Sequence, residues 1–238
     1  MDDAKKAVRK ALTAENGVCL ITGPTGSGKT TLLYSALAAL DRRGLNIVSI
    51  EDPVEYTFPG ITQIQVSPRL SFADSLRAIL RQDPDVILVG EVRDRETAEL
   101  CFQAASTGHL VLSTLHANSA VDVTRRLQGL GLSLDTINSS LRFSSAQRLL
   151  PQICSRCSEP VTDESVAPLV RPMLDGATFR RRSVGCSSCR NGLTGMVPIL
   201  EYINWQESDS RVPAQSLKEL ALTRAAHGEV DAYEAMAV

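Results

Sequence analysis

Over the first 150 residues short apolar runs alternate with amphipathic stretches, and beyond Pro151 that alternation is lost. Val18-Cys19-Leu20-Ile21-Thr22, Asn46-Ile47-Val48-Ser49-Ile50, Val86-Ile87-Leu88-Val89 and Leu110-Val111-Leu112-Ser113-Thr114 read as strands. The unbroken run at 86–89 is the mark of a strand covered on both faces. Leu32, Leu33, Ala36, Leu37 and Leu40 recur at helical spacing, as do Phe72, Leu76, Ile79 and Leu80 behind a cap at Ser71. Further helices are expected from Asp94 to about Gly108, near 119–129 and near 134–149. Val8 and Leu12 mark a short amphipathic helix ahead of the first strand, and Ile61, Ile64 and Val66 a small extra strand or hairpin. This alternation predicts an α/β core over residues 1–150, with a parallel or mixed sheet between helices. Residues 151–204 form a second region of different texture. A polar linker and closing helices follow over 205–238, with Ser216-x-x-Glu219 opening a helix that ends near His227-Gly228.

Composition narrows the classes. At 238 residues the chain can bury one sizeable core plus a small appendage, and its 43% apolar and 22% charged residues are ordinary for a globular protein. A net charge of −2 and only 4% aromatic residues argue against a surface built to hold nucleic acid. No apolar run approaches the ~18 residues needed to span a bilayer, so no direct membrane insertion is expected. The start, Met1-Asp2-Asp3, carries no apolar signal region.

Between the first strand and the first long helix lies Gly23-Pro24-Thr25-Gly26-Ser27-Gly28-Lys29-Thr30, followed by Thr31. It fits G-x-x-x-x-G-K-[ST] in the strand-to-helix setting that the phosphate-binding loop requires. Glycines let the backbone wrap a phosphate, and the helix N-terminus offers unpaired N–H groups and a favourable dipole. Lys29 would reach the β- and γ-phosphates of ATP, and the Thr30 hydroxyl would bind Mg²⁺. The sequence is that of a nucleotide-binding protein.

Hydrolysis also needs a group that orients water and groups that hold the metal. Glu91, one residue beyond the 86–89 strand and Gly90, fits the first role. Glu51 and Asp52 end the second strand, where they could hold Mg²⁺ through water; Glu55 reads equally as a solvated turn residue. His109 and His116 flank one strand, and a histidine near the γ-phosphate could sense hydrolysis. Cys154-x-x-Cys157 and Cys186-x-x-Cys189 supply four soft ligands, which suits a structural tetrahedral Zn²⁺. The other two cysteines, Cys19 and Cys101, sit in apolar surroundings.

Four motifs resemble the type II secretion and type IV pilus assembly ATPases, the secretion ATPase superfamily. They are the phosphate loop, Ile50-Glu-Asp-Pro-Val-Glu-Tyr56, the stretch Leu80 to Asp94 containing Val-Gly-Glu91, and Gly108-His-Leu-Val-Leu-Ser-Thr-Leu-His-Ala-Asn118. The resemblance implies a RecA-like P-loop NTPase core and a homo-hexameric ring in the cytoplasm. Such a ring docks on an inner-membrane platform or adaptor protein and moves pilin or pseudopilin subunits with ATP. It also implies that Glu91 is the catalytic glutamate and that Glu51 and His116 lie near the nucleotide. The cysteine pairs look like the zinc element of secretion and assembly motors, which retraction motors generally lack. The family carries a further domain before the phosphate loop that lends arginines to the nucleotide. Here the chain starts about twenty residues ahead of the loop, so either it is a fragment or a partner supplies them. Arg93, Arg95, Arg125 and Arg126 are candidate substitutes within the chain, each of which reads by default as a solvated surface charge. Gly195 to Glu201 matches the family only loosely. The alternatives are a P-loop ATPase acting on nucleic acid and an ATP-holding ring component inactive without a missing domain.

Overall fold

A computed structural model of the protein describes residues 2–40, 44–161, 179–207 and 211–238. Most of the loop between the cysteine pairs (162–178) and part of the expected linker (208–210) lie outside the described residues. The chain divides into two compact units. The first comprises residues 1–146 and 202–213, the second 147–201 and 214–238. The cysteine pairs and the closing helices therefore share a unit, and the chain passes between units three times.

In the first unit the order is α1 (Asp2–Ala11), β1 (Gly17–Thr22), α2 (Lys29–Ala39), β2 (Ile47–Glu51), β3 (Thr62–Gln65), α3 (Phe72–Ile79), β4 (Val86–Val89), α4 (Arg95–Ser106), β5 (Leu110–Leu115), α5 (Asp122–Gly129) and α6 (Leu134–Ser140). It is completed by the start of β6 (Leu141–Ile153) and the end of β9 (Leu193–Asn204). The sheet runs β3-β2-β4-β5-β1-β6-β9. β2 pairs in parallel with β3 and β4, β4 with β5, and β1 with both β5 and β6. Alternation sorts the strand side chains onto two faces. Val18, Leu20, Val48, Ile50, Ile87, Val89 and Val111 pack with residues of α3 to α6. Cys19, Ile21, Ile47, Leu88, Leu110 and Leu112 pack with residues of α1 and α2. Both faces are covered, which is why these strands read as unbroken apolar runs.

The expected helix over 134–149 is half helix and half strand. α6 stops at Ser140, and from Leu141 the chain runs on as β6 beside β1. Ile137 and Leu141 keep helical spacing, but β1 needs a neighbour on its open edge. Phe143, Ser144, Ser145 and Ala146 are buried there, and their small polar members hid the strand. Phe143 stacks on Tyr202 at 6.0 Å, and the Trp205 indole N–H donates to the Ser144 hydroxyl at 2.9 Å.

The second unit, beyond Pro151, is not as featureless as its sequence suggests. It holds the rest of β6 and β9, a two-residue antiparallel pair β7 (Glu159–Pro160) and β8 (Arg180–Arg181), α7 (Leu217–Ala226) and α8 (Ala232–Met236). Ser216 and Glu219 form the expected reciprocal cap at the start of α7. The buried Glu201 carboxylate accepts a further bond from the Leu217 N–H at 2.9 Å.

Candidate active site and metal centre

Because β1, β2, β4 and β5 are parallel, their carboxyl ends lie along one sheet edge, and ligands of open α/β sheets bind outside that edge. The phosphate loop leaves β1 there, Glu51 ends β2, Glu91 follows β4 by two residues and His116 follows β5 by one. Register confirms the alignment: Thr22 pairs with Leu115, Ile50 with Val89 and Val89 with Ser113.

The loop is shaped to receive an anion. Gly28, the N-cap residue of α2, has φ 85°, a conformation that costs residues with a Cβ, and it provides no side-chain cap. Ser71, Asp94 and Ser133 do cap their helices with side-chain oxygens. No side-chain oxygen closes the start of α2, where the helix dipole favours an anion. Pro24, Thr25 and Gly26 are exposed, Ser27 is buried, and Gly28, Lys29 and Thr30 are half-buried, with Thr31 exposed beyond them. The Lys29 ammonium donates to the Gly23 and Pro24 carbonyls, each at 2.9 Å, folding the side chain back over the loop.

Glu51 is buried, and its carboxylate accepts from the Ser49 hydroxyl at 2.6 Å, the Gln63 amide at 3.0 Å and the Tyr34 hydroxyl. Burial, then the bond that its hydroxyl donates to Glu51, pushes the Tyr34 phenol up to about 12, so Tyr34 stays a donor at neutral pH. Asp52 and Glu55 are exposed on the following segment. Sequence reasoning passed over Tyr34, Ser49 and Gln63. The signal was there: Ser49 and Glu51 share one face of an otherwise apolar strand, and Gln63 stands opposite Ser49 on β3.

Gly90 and its neighbours brace Glu91. The Gly90 N–H donates to the Ile50 carbonyl at 2.7 Å, its own carbonyl accepts from the Thr114 hydroxyl at 2.7 Å, and the Val92 N–H returns to Thr114 at 2.9 Å. The Glu91 side chain, 15% exposed, pairs with Arg93 and lies 3.8 Å from His116 Nε2. His116 is therefore brought to the edge together with Glu91. His109 is not. It precedes β5, at the opposite edge, and its Nδ1 bonds the Ala104 carbonyl at 2.9 Å. A strand of this length separates the two histidines by roughly 20 Å. His109 is thus corrected from a nucleotide contact to a group that closes the turn after α4. Of the arginines, Arg93 sits at the site with the Asp52 charge nearby. Arg95 is engaged with Glu99 at 2.7 Å and Arg125 with Asp122 at 2.8 Å, both on their own helices, and Arg126 is exposed on α5.

In the second unit Cys154, Cys157, Cys186 and Cys189 converge, with all four sulfurs within 4.8 Å of one another. Sγ separations are 3.9 Å for Cys154–Cys186 and 3.7 Å for both Cys157–Cys189 and Cys186–Cys189. Zinc–sulfur bonds of ~2.3 Å in a tetrahedron place sulfurs roughly 3.8 Å apart, whereas a disulfide needs ~2.05 Å. The donor set fits zinc in number, softness and spacing. Backbone hydrogen bonds, first that from Arg156, pull the Cys154 thiol down to about 7. The Ser183 hydroxyl, 3.0 Å from Cys157, lowers that thiol, but burial and the neighbouring sulfurs outweigh it and carry it up to about 11. Four thiolates so close repel one another, and a bound divalent cation removes that conflict.

The family described as Type II/IV secretion system protein matches residues 1–236. The type II secretion system protein E of Pseudomonas aeruginosa is 42% identical over 224 residues, covering 92% of this chain and 45% of that protein. The type IV pilus assembly ATPase PilB of the same organism is 45% identical over 207 residues, covering 85% of this chain and 37% of the other. The chain thus spans less than half the length of these relatives. Among solved structures, the pilus retraction motor PilT with bound ADP superposes with a TM-score of 0.71 at 30% identity, covering 97% of this chain and 63% of that one. The Legionella pneumophila ATPase DotB shares the fold, with a TM-score of 0.66 at 24% identity, 97% of this chain and 61% of the other being covered. With a match from its first residue almost to its last and an α/β sheet of the same design, the chain belongs to the type II/IV secretion system protein family.

Proposed function

We propose that this chain is the ATP-hydrolysing part of a motor for type II secretion or type IV pilus assembly. The observation that carries the reading is the convergence of the phosphate loop, Glu51, Glu91 and His116 at the carboxyl ends of four adjacent parallel strands. The uncapped start of α2 would take the phosphates, with Lys29 leaving the Gly23 and Pro24 carbonyls for the β- and γ-oxygens. Mg²⁺, when bound, supplies charge neutralisation on those oxygens. The Thr30 hydroxyl and, through water, Glu51 and Asp52 form an oxygen-only donor set suited to it. Glu91 would orient the attacking water, with His116 beside it. Arg93 pairs with Glu91 at the same edge.

The four cysteines would hold one structural zinc, since no ligand position remains for water. The functional unit would be a cytoplasmic homo-hexamer docked on an inner-membrane platform protein, with pilin-like subunits as its cargo. Among the described residues no helix is long and apolar enough to cross a membrane.

Steady-state phosphate release with ATP and Mg²⁺ tests it, comparing the parent with Glu91→Gln. The parent is expected to turn over, and the variant to bind ATP normally while losing about 10²–10⁴-fold in rate, the usual worth of a positioned proton acceptor. If both bind ATP and neither hydrolyses it, the chain is an ATP-holding ring component whose missing arginines come from elsewhere.

A further inference from the structure

Glu51 is fixed more firmly than a solvated carboxylate at a strand end would be. A carboxylate offers about four acceptor sites. Oε1 takes the Ser49 hydroxyl and the Gln63 amide, and Oε2 takes Tyr34, which leaves one. The two outer donors do a second job each. The Tyr34 oxygen also accepts from the Glu55 N–H at 3.2 Å, and its ring meets Tyr56 and Phe58 edge-on at 5.8 and 5.2 Å. Gln63 donates to the Tyr56 carbonyl at 2.9 Å and accepts from the Phe58 N–H at 2.8 Å. Tyr34 lies five residues beyond Lys29 on the helix whose N-terminus forms the phosphate seat.

We infer that Tyr34 is a positioning residue: with Gln63 it aims the Glu51 carboxylate at the divalent cation that accompanies the nucleotide, and it ties the 52–58 segment to α2. The inference rests on the ATPase reading. Its chemistry is that of outer-shell support, in which a hydrogen-bonded neighbour orients a carboxylate and so sets its value to a metal. Mg²⁺ keeps most of its waters and is gripped through few carboxylates, so the aim of a single one matters. Tyr34 touches neither the phosphate loop's carbonyls nor Glu91 among the described contacts, and its effect must pass through Glu51 and the backbone of Glu55.

The test is fluorescent-ATP binding by the parent, Tyr34→Phe and Gln63→Met, each titrated with Mg²⁺ and also in its absence, with thermal unfolding alongside. Phenylalanine keeps the ring contacts and removes only the hydroxyl. Both variants are expected to bind metal-free ATP as the parent does, while the Mg²⁺ concentration for half-maximal tightening rises about ten-fold. An unchanged Mg²⁺ requirement in Tyr34→Phe overturns the inference alone. Equal weakening with and without Mg²⁺ also overturns it, because the hydroxyl would then merely brace α2. A parent that binds no ATP under either condition overturns the functional reading and this inference with it.

Discussion

Gly90 stands where no side chain fits without movement. A Cβ there would meet the Ile50 carbonyl oxygen at 3.2 Å and the Glu51 Cα at 3.5 Å, both backbone, with Phe72 at 3.7 Å behind them. Crowding a packed backbone typically costs about 1–3 kcal/mol. Gly90→Ala is therefore expected to lower the denaturant midpoint, with a loss near the lower end of that range, and to slow hydrolysis through the displaced Glu91. A variant as stable as the parent would show that β2 yields freely. The positions of single residues were legible in the sequence where chemistry and spacing coincide: Lys29, Thr30 and Glu91 all fall at the carboxyl-end edge of the sheet. His109 failed because flanking a strand was equated with flanking a site: a parallel strand offers only its carboxyl end to the ligand edge. Tyr34 was absorbed into an apolar helix face, and its hydroxyl gave no sign of the partner 17 residues away.

Helices and strands were legible in proportion to how uniformly they are buried. β1, β2, β4 and β5 are buried at every position, and their boundaries follow from apolar content. β6 mixes serines, glutamines and arginines with its apolar residues, and only its place beside β1 makes it a strand. Caps carried more information than periodicity in the second unit. The Ser216–Glu219 pair marks the start of α7 within a stretch that otherwise lacks pattern. Removing the cap oxygen with Ser216→Ala should cost about 1 kcal/mol, read as a lower denaturant midpoint with unchanged slope. A loss indistinguishable from zero would mean that the Glu201 bond to Leu217 secures the helix alone.

For the molecule as a whole, metal and thiol chemistry separate the six cysteines into two classes. Burial pushes both Cys19 and Cys101 up to about 12, so at pH 8 they remain unreactive thiols. The purified chain is expected to carry one zinc, and a chelator strong enough to remove it should expose four thiols to a maleimide. All six should react only after unfolding. Well under one zinc per chain with intact thiols would remove the zinc assignment, and six reacting thiols in the native state would refute the burial of the other two. The division into units has a consequence for biosynthesis. Residues 202–213 belong to the first unit, where Tyr202 covers Phe143 and Trp205 satisfies Ser144. A ribosome delivers those residues only after both cysteine pairs have emerged. The first unit of a nascent chain thus waits, unfinished along β6, through the interval in which the four cysteines able to hold a metal are first all present, and the two maturation events share one window of translation.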